Sequence, residues 1–117
     1  MSWEMLMIRT KTNSESIYDI KSENIIPFTQ TEIADEIKKI AAELDAEYDC
    51  DDLSWPFLGG GTGSDRWVVE FGVGEDEETE SVMLRIRGSE KLKAVLTALI
   101  ADLNTRIIDG PTGDFIS

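Results

Sequence analysis

Histidine is missing from this chain, and its absence narrows the possible chemistry more than any residue present. Serine and cysteine nucleophiles ordinarily need an imidazole base, so no arrangement for nucleophilic catalysis can be assembled and no enzymatic activity is expected. Cysteine occurs once, as Cys50, which makes an internal disulfide impossible. Its acidic neighbours Asp49, Asp51 and Asp52 disfavour a thiolate, so Cys50 reads as a small loop or half-buried residue. No stretch of about eighteen apolar residues occurs, which excludes a transmembrane helix. The opening MSWEMLMIRTKT has neither the basic region, the long apolar core nor the small-residue cleavage site of a signal peptide. A cytoplasmic protein without membrane contact is expected.

Positive charge is the next scarcity. Eleven lysines and arginines stand against 24 aspartates and glutamates, a net charge of −13. Residues 45–80 hold twelve of those acids and one base, Arg66, so eleven of the thirteen net charges are concentrated there. Affinity for nucleic acid comes mainly from neutralising phosphates, so that partner is not expected. A basic protein partner is, because a concentrated field of one sign steers the opposite sign toward it.

Two acid- or glycine-rich stretches imitate ligand motifs and fail them. Asp45, Glu47, Asp49 and Asp51 alternate like the first ligands of a calcium loop, but position six is Cys50 instead of glycine and position twelve is Pro56 instead of glutamate. GGGTGSD lacks the lysine and following hydroxyl of a phosphate-binding loop, and Asp65 would repel phosphate, so it reads as a flexible loop. No cofactor and no metal site is expected. Glu70 is the one carboxylate at an apolar strand position, and it reads as a cross-strand salt-bridge partner of Arg85 or Arg87.

At 117 residues the chain fits a single domain, 1–117, with irregular inserts at about 11–28 and 45–65. WEMLMIRT at 3–10 makes a first strand that is apolar on both faces. Thr29, with Glu32 three residues on, starts a helix whose stripe is Ile33, Ile37, Ile40, Ala41 and Leu44, with Asp35, Glu36, Lys38, Lys39 and Glu43 on the remaining faces. Residues 66–73 and 81–87 alternate and form an antiparallel hairpin across GEDEETE. Gly88 and Ser89 break the strand and cap a second helix carrying Leu92, Val95, Leu96, Leu99, Ile100 and Leu103; Asn104 stops it. Residues 106–109 form a last strand, and Phe115 and Ile116 of the tail dock.

The order βαββαβ predicts an α+β, ferredoxin-like fold: an antiparallel sheet with two helices on one face. Leu6, Ile8, Trp67, Val69, Phe71, Val82, Leu84 and Ile86 are expected toward the helices. Trp3, Met5, Met7, Arg9, Val68, Met83, Arg85 and Arg87 are expected on the open face, which needs a cover. Either the N-terminal insert or the aromatic segment at 53–58 supplies it, or another molecule does.

These segments give the chain a resemblance to small, mostly uncharacterised bacterial proteins grouped with the immunity proteins of polymorphic toxin systems. The resemblance lies in the opening WEMLMIRTKT, the acidic-aromatic DDLSWPFLGGG, the hairpin end ESVMLRIRG and the closing DGPTGDFIS. Immunity proteins form many unrelated families, so the resemblance implies a role and no particular site. The role is a non-enzymatic protein-binding module that neutralises a cognate, often basic, toxin domain. Asp49, Asp51, Asp52, Glu75, Asp76, Glu77 and Glu78 are then the candidates for long-range attraction, and Trp55 and Phe57 for buried anchors. Two other readings stay open. One is a small anion- or metabolite-binding domain, enzymatic or not, with its site on the sheet face at Arg9, Met83, Arg85 and Arg87. The other is a structural homo-oligomer paired through that face, so monomer and homodimer both remain.

Overall fold

Thr29 opens the first helix as its spacing to Glu32 predicts. Its hydroxyl accepts from the Glu32 amide at 3.0 Å, and the Glu32 carboxylate accepts from the Thr29 amide at 3.4 Å. Two donors that a helix start leaves orphaned are thereby satisfied. This helix, α1 (Gln30–Leu44), ends where Asp45 turns left-handed with φ 52°. The computed structural model describes residues 3–11, 24–88, 90 and 92–109. Ser89, most of the N-terminal insert and the tail with Phe115 and Ile116 lie outside the described residues.

The strands in chain order are β1 (Trp3–Ile8), β2 (Phe28–Thr29), β3 (Glu47–Asp49), β4 (Phe57–Gly60), β5 (Trp67–Gly72), β6 (Glu78–Thr79), β7 (Ser81–Arg87) and β8 (Arg106–Asp109). The second helix, α2 (Leu92–Leu103), lies between the last two and stops at Asn104, which has φ 53°. Six strands form one antiparallel sheet in the order β3-β4-β5-β7-β1-β8. The short β2 and β6 pair separately, which ties the hairpin connector to the start of α1. Among the described residues the architecture is therefore mixed α+β, with a six-stranded antiparallel sheet and two α-helices. The sheet differs from the expected four-strand order because residues 45–65, read as an irregular insert, supply β3 and β4. Gly59 and Gly60, read as flexible loop, are buried strand residues like Leu58 before them, and the chain turns only afterwards, at Gly61 (φ 76°) and Gly63 (φ 57°).

Alternation along β5 and β7 sorts the side chains as expected. Trp67, Val69, Phe71, Val82, Leu84 and Ile86 form one core with Ile33, Ile37 and Ile40 of α1 and Val95, Leu99 and Leu103 of α2. Each large aliphatic side chain buried there contributes about 1.5–3 kcal/mol over leaving it in water. β1 has the opposite phase to the expectation. Met5 pairs with Leu84 and Met7 with Val82, so the methionines face the helices and Leu6 and Ile8 face away. WEMLMI is apolar at both parities, so its own pattern selects no face and its partners decide.

Glu36 is a second correction. It belongs to the buried side of α1, with 7% of its surface exposed. Its Oε1 has no partner, and its carboxyl meets Asp102 of α2, which Lys39 also binds at 3.0 Å. Burial first, and then the Asp102 carboxylate, push Glu36 up to about 7. Asp102 is held below its ordinary range by its bonds to Glu36 and Lys39. The two carboxyls thus face each other between the helices, with the proton favoured on Glu36.

Gly88 fixes how β7 ends. With φ 122° it occupies backbone space disfavoured for other residues, and a β-carbon there would lie 2.3 Å from the Arg66 carbonyl oxygen and 2.5 Å from the Trp67 α-carbon. Gly88→Ala should therefore cost about 2–3 kcal/mol in urea unfolding; a change below ~0.5 kcal/mol contradicts this packing. Glu36 gives a pH-dependent expectation. Because the folded chain holds its proton more tightly than the unfolded chain, stability falls as pH rises from the ordinary carboxyl range through about 7. Glu36→Gln, which keeps the neutral form, should gain about 2 kcal/mol on the wild type between pH 5 and pH 8. A difference that does not vary with pH shows that the carboxyl is ionised in the fold.

Candidate functional site

The aromatic run LSWPF lies beside β5. The Ser54 carbonyl accepts from the amides of Val73 (3.0 Å) and Gly74 (3.1 Å), and the Pro56 carbonyl accepts from the Phe71 amide (2.9 Å). β4 continues the ladder, with Phe57 opposite Glu70 and Gly60 opposite Trp67. A tight turn leads into it. The Trp55 amide donates to the Asp52 carbonyl at 3.2 Å, and Asp52 Oδ1 accepts from both the Ser54 amide (3.0 Å) and hydroxyl (2.6 Å). Asp49 Oδ1 accepts from the Asp51 amide at 2.9 Å. Such local bonds are what short acidic side chains provide in turns. The bonds from Ser54 hold the Asp52 carboxyl below its usual range.

Glycines seat the aromatics on the open face of the sheet. A β-carbon at Gly72 would lie 3.0 Å from the Trp55 ring, and one at Gly59 would lie 2.8 Å from the Phe57 ring. Of the two expected covers, the aromatic segment is thus placed over the middle of this face. Trp55 is still 42% exposed. The Arg85 guanidinium stands 5.9 Å from the Trp55 ring centre and bonds Glu4 at 3.3 Å. Glu70 is directly opposite Arg85 in the register, but the salt bridge expected between them is not formed, and Arg85 pairs instead with Glu4 on its other side.

Three open concavities adjoin the turn at 51–55. The first, about 410 Å³, is lined by Glu47, Tyr48, Asp49, Asp51, Asp52, Trp55 and Phe57. The second, about 370 Å³, includes Ser54, Trp55, Gly72, Glu75 and Met83. The third, about 500 Å³, includes Gln30, Leu53, Glu77 and Glu78. The five candidates Asp49, Asp51, Asp52, Trp55 and Phe57 therefore share one hollow, and the connector acids flank the same turn. Asp76 is exposed in that connector. Gln30 anchors it, donating its amide to the Glu77 carbonyl (3.1 Å) and its side chain to the Gly74 carbonyl (2.7 Å). Glu47, Tyr48 and Leu53 also belong here, and the sequence reading missed them. An aromatic between the acids Glu47 and Asp49 was the available signal, and Tyr48 is 48% exposed in the fold.

The alternative arginine site does not assemble. Arg9 binds Glu32 with both terminal nitrogens (2.8 and 2.9 Å), donates to the Pro27 carbonyl (2.6 Å) and stacks 4.7 Å from the Phe28 ring centre. It locks the end of β1 to the start of α1, and its bonds hold the Glu32 carboxyl low. Met83 and Arg85 lie by Trp55, and Arg87 is exposed opposite Val68. Burial pushes the Cys50 thiol up, Asp49 and Asp51 add to that, and Lys38 opposes it. Among the described residues no cluster of carboxylates and thiols converges to hold a metal ion, and no helix is long and apolar enough to cross a membrane.

Gly72→Ala should lift the Trp55 ring off the sheet while leaving the fold intact, seen as a shifted indole N–H resonance of Trp55 with the core resonances in place. An unmoved Trp55 resonance contradicts the contact. Comparison of the chain with protein-family models, curated proteins and solved structures returned no match.

Proposed function

We propose that this protein is a non-enzymatic, acidic protein-binding module that acts as an immunity protein, neutralising a basic toxin domain in the cytoplasm. The observation that carries the reading is the convergence at the turn at 51–55. Asp49, Asp51 and Asp52 on one side of it, and Glu75, Glu77 and Glu78 on the other, line separate hollows that border the same turn, together with Tyr48, Leu53, Trp55 and Met83, four of the five large apolar side chains exposed among the described residues. Charge alone serves solubility. Exposed tryptophan, tyrosine and methionine are the residues enriched at interface centres, and the acids around them suit the polar rim.

Asp49, Asp51, Asp52, Glu75, Asp76, Glu77 and Glu78 would draw a cationic partner over distances of about a Debye length, and Trp55 and Phe57 would anchor it at contact. The order β5-β7-β1-β8 within the sheet supports reading the fold as a ferredoxin-like βαββαβ core widened by β3 and β4. The anion-binding alternative has weaker support, because Arg9 is committed to Glu32 and Arg85 is flanked by acids.

Immobilised protein is expected to retain a basic toxin domain from a lysate of its source cells at low salt and to release it at about 0.5 M. The triple variant Asp49→Lys, Asp51→Lys, Asp52→Lys should associate with that domain at least about tenfold more slowly and with a shallower salt dependence. Unchanged association kinetics, or a captured domain whose toxicity this protein leaves undiminished, sinks the assignment.

A further inference from the structure

We infer that the hollow between β3 and the turn at 51–55 receives one guanidinium group, an arginine side chain presented by the partner protein. The inference rests on the protein-binding reading above and adds the chemistry of its central contact. The pocket combines two kinds of wall. Tyr48, Trp55 and Phe57 supply aromatic surface, and Asp49, Asp51 and Asp52 supply carboxylates. An apolar occupant would strip water from those carboxylates and return no counter-charge. An anion would be repelled. A cation able to use both an aromatic face and an oxygen pair is left.

Arginine suits this better than lysine. Its guanidinium is planar, stacks on aromatic rings and meets carboxylates with two parallel bonds, whereas an ammonium is a compact, strongly hydrated point charge. The protein uses the same combination internally, where Arg9 stacks on Phe28 and holds both oxygens of Glu32. The walls are also in place beforehand. Asp49 and Asp52 each use Oδ1 to hold the turn, which restrains both carboxylates before a partner arrives. The glycine under Phe57 seats one ring, and the glycine under Trp55 seats the other. An arginine entering this pocket therefore meets surfaces that need little ordering.

The test uses the whole protein and a capped Gly-Arg-Gly peptide, with lysine and citrulline versions as controls, followed by NMR. The arginine peptide should shift resonances of Tyr48 and of residues 49–57. Citrulline should produce no such shifts, and lysine should bind about threefold more weakly or worse. Trp55→Ala should weaken the arginine peptide about tenfold. The pair Asp49→Asn, Asp52→Asn keeps the turn-forming oxygens and should weaken it comparably, so loss of binding can be read without loss of fold. Shifts spread equally over residues 75–80, or lysine matching arginine, overturn the pocket and leave the protein-binding reading standing. Arginine binding confined to the pocket, with no toxin captured in the lysate experiment, supports the pocket and overturns the immunity role.

Discussion

Residues 54–60 are held against β5 by backbone hydrogen bonds from Ser54 onward, and the acidic surface depends on that pairing. It sets Trp55 over Gly72 and Phe57 over Gly59, and it draws the hairpin connector to the turn through the amides of Val73 and Gly74. It also decides what the sheet edge presents. With β4 against β5, the outermost strand on that side is β3, whose exposed Glu47 and Asp49 discourage pairing with another sheet edge. A segment composed like a linker is thus the element that organises the proposed interface.

The two faces of the sheet follow different physics. The helix face is held by apolar burial, with Arg9, Phe28 and Glu32 closing one corner through a two-pronged, partly buried ion pair. The opposite face carries the charge and gains little from it. Arg66 reaches Glu47 only at 3.9 Å with both side chains well exposed, and pairs of that kind contribute at most about 1 kcal/mol. Mutual repulsion among the acids of residues 45–80 works against the fold, and salt relieves it. Local bonds at Asp49 and Asp52 hold carboxylates in place within that unfavourable field. That arrangement is easier to explain as a surface for a cation than as a contribution to stability.

The sequence made the helices and the β5–β7 hairpin legible because their patterns are one-sided. The α1 start was readable from Thr29 and Glu32, and β5 from the alternation of Trp67, Val69 and Phe71. Where the pattern was two-sided, reading failed. β1 is apolar at both parities, so its face depended on pairing with β7, a long-range contact that no local spacing encodes. Glu36 stands three residues after Ile33 and four before Ile40, on the margin of the stripe, and only its meeting with Asp102 of α2 makes burial tolerable. The glycines at 59 and 60 misled for a related reason. Their lack of side chains suggested freedom, while the structure uses it to admit the rings of Phe57 and Trp67. Asp49, Asp51, Asp52, Trp55 and Phe57 were legible as a cluster because they are near neighbours in sequence. That the connector with Glu75, Glu77 and Glu78 borders the same turn was not, since it follows from the β5 pairing.

Attraction and anchoring are separable demands, and this surface assigns them to different residues. Steering needs many like charges at modest range and tolerates their exact placement poorly defined, so an exposed connector such as residues 74–78 suffices. Anchoring needs a few large side chains whose positions are set before the partner arrives, because each rotamer-rich group ordered on binding costs about 0.5–1.5 kcal/mol. Trp55 and Phe57 have few rotatable bonds and rest on glycine, while the carboxylates beside them are tied into the turn. On this division the acids of both segments govern how fast a partner arrives, and the aromatic side chains of the pocket, with the carboxylates fixed beside them, govern how long it stays.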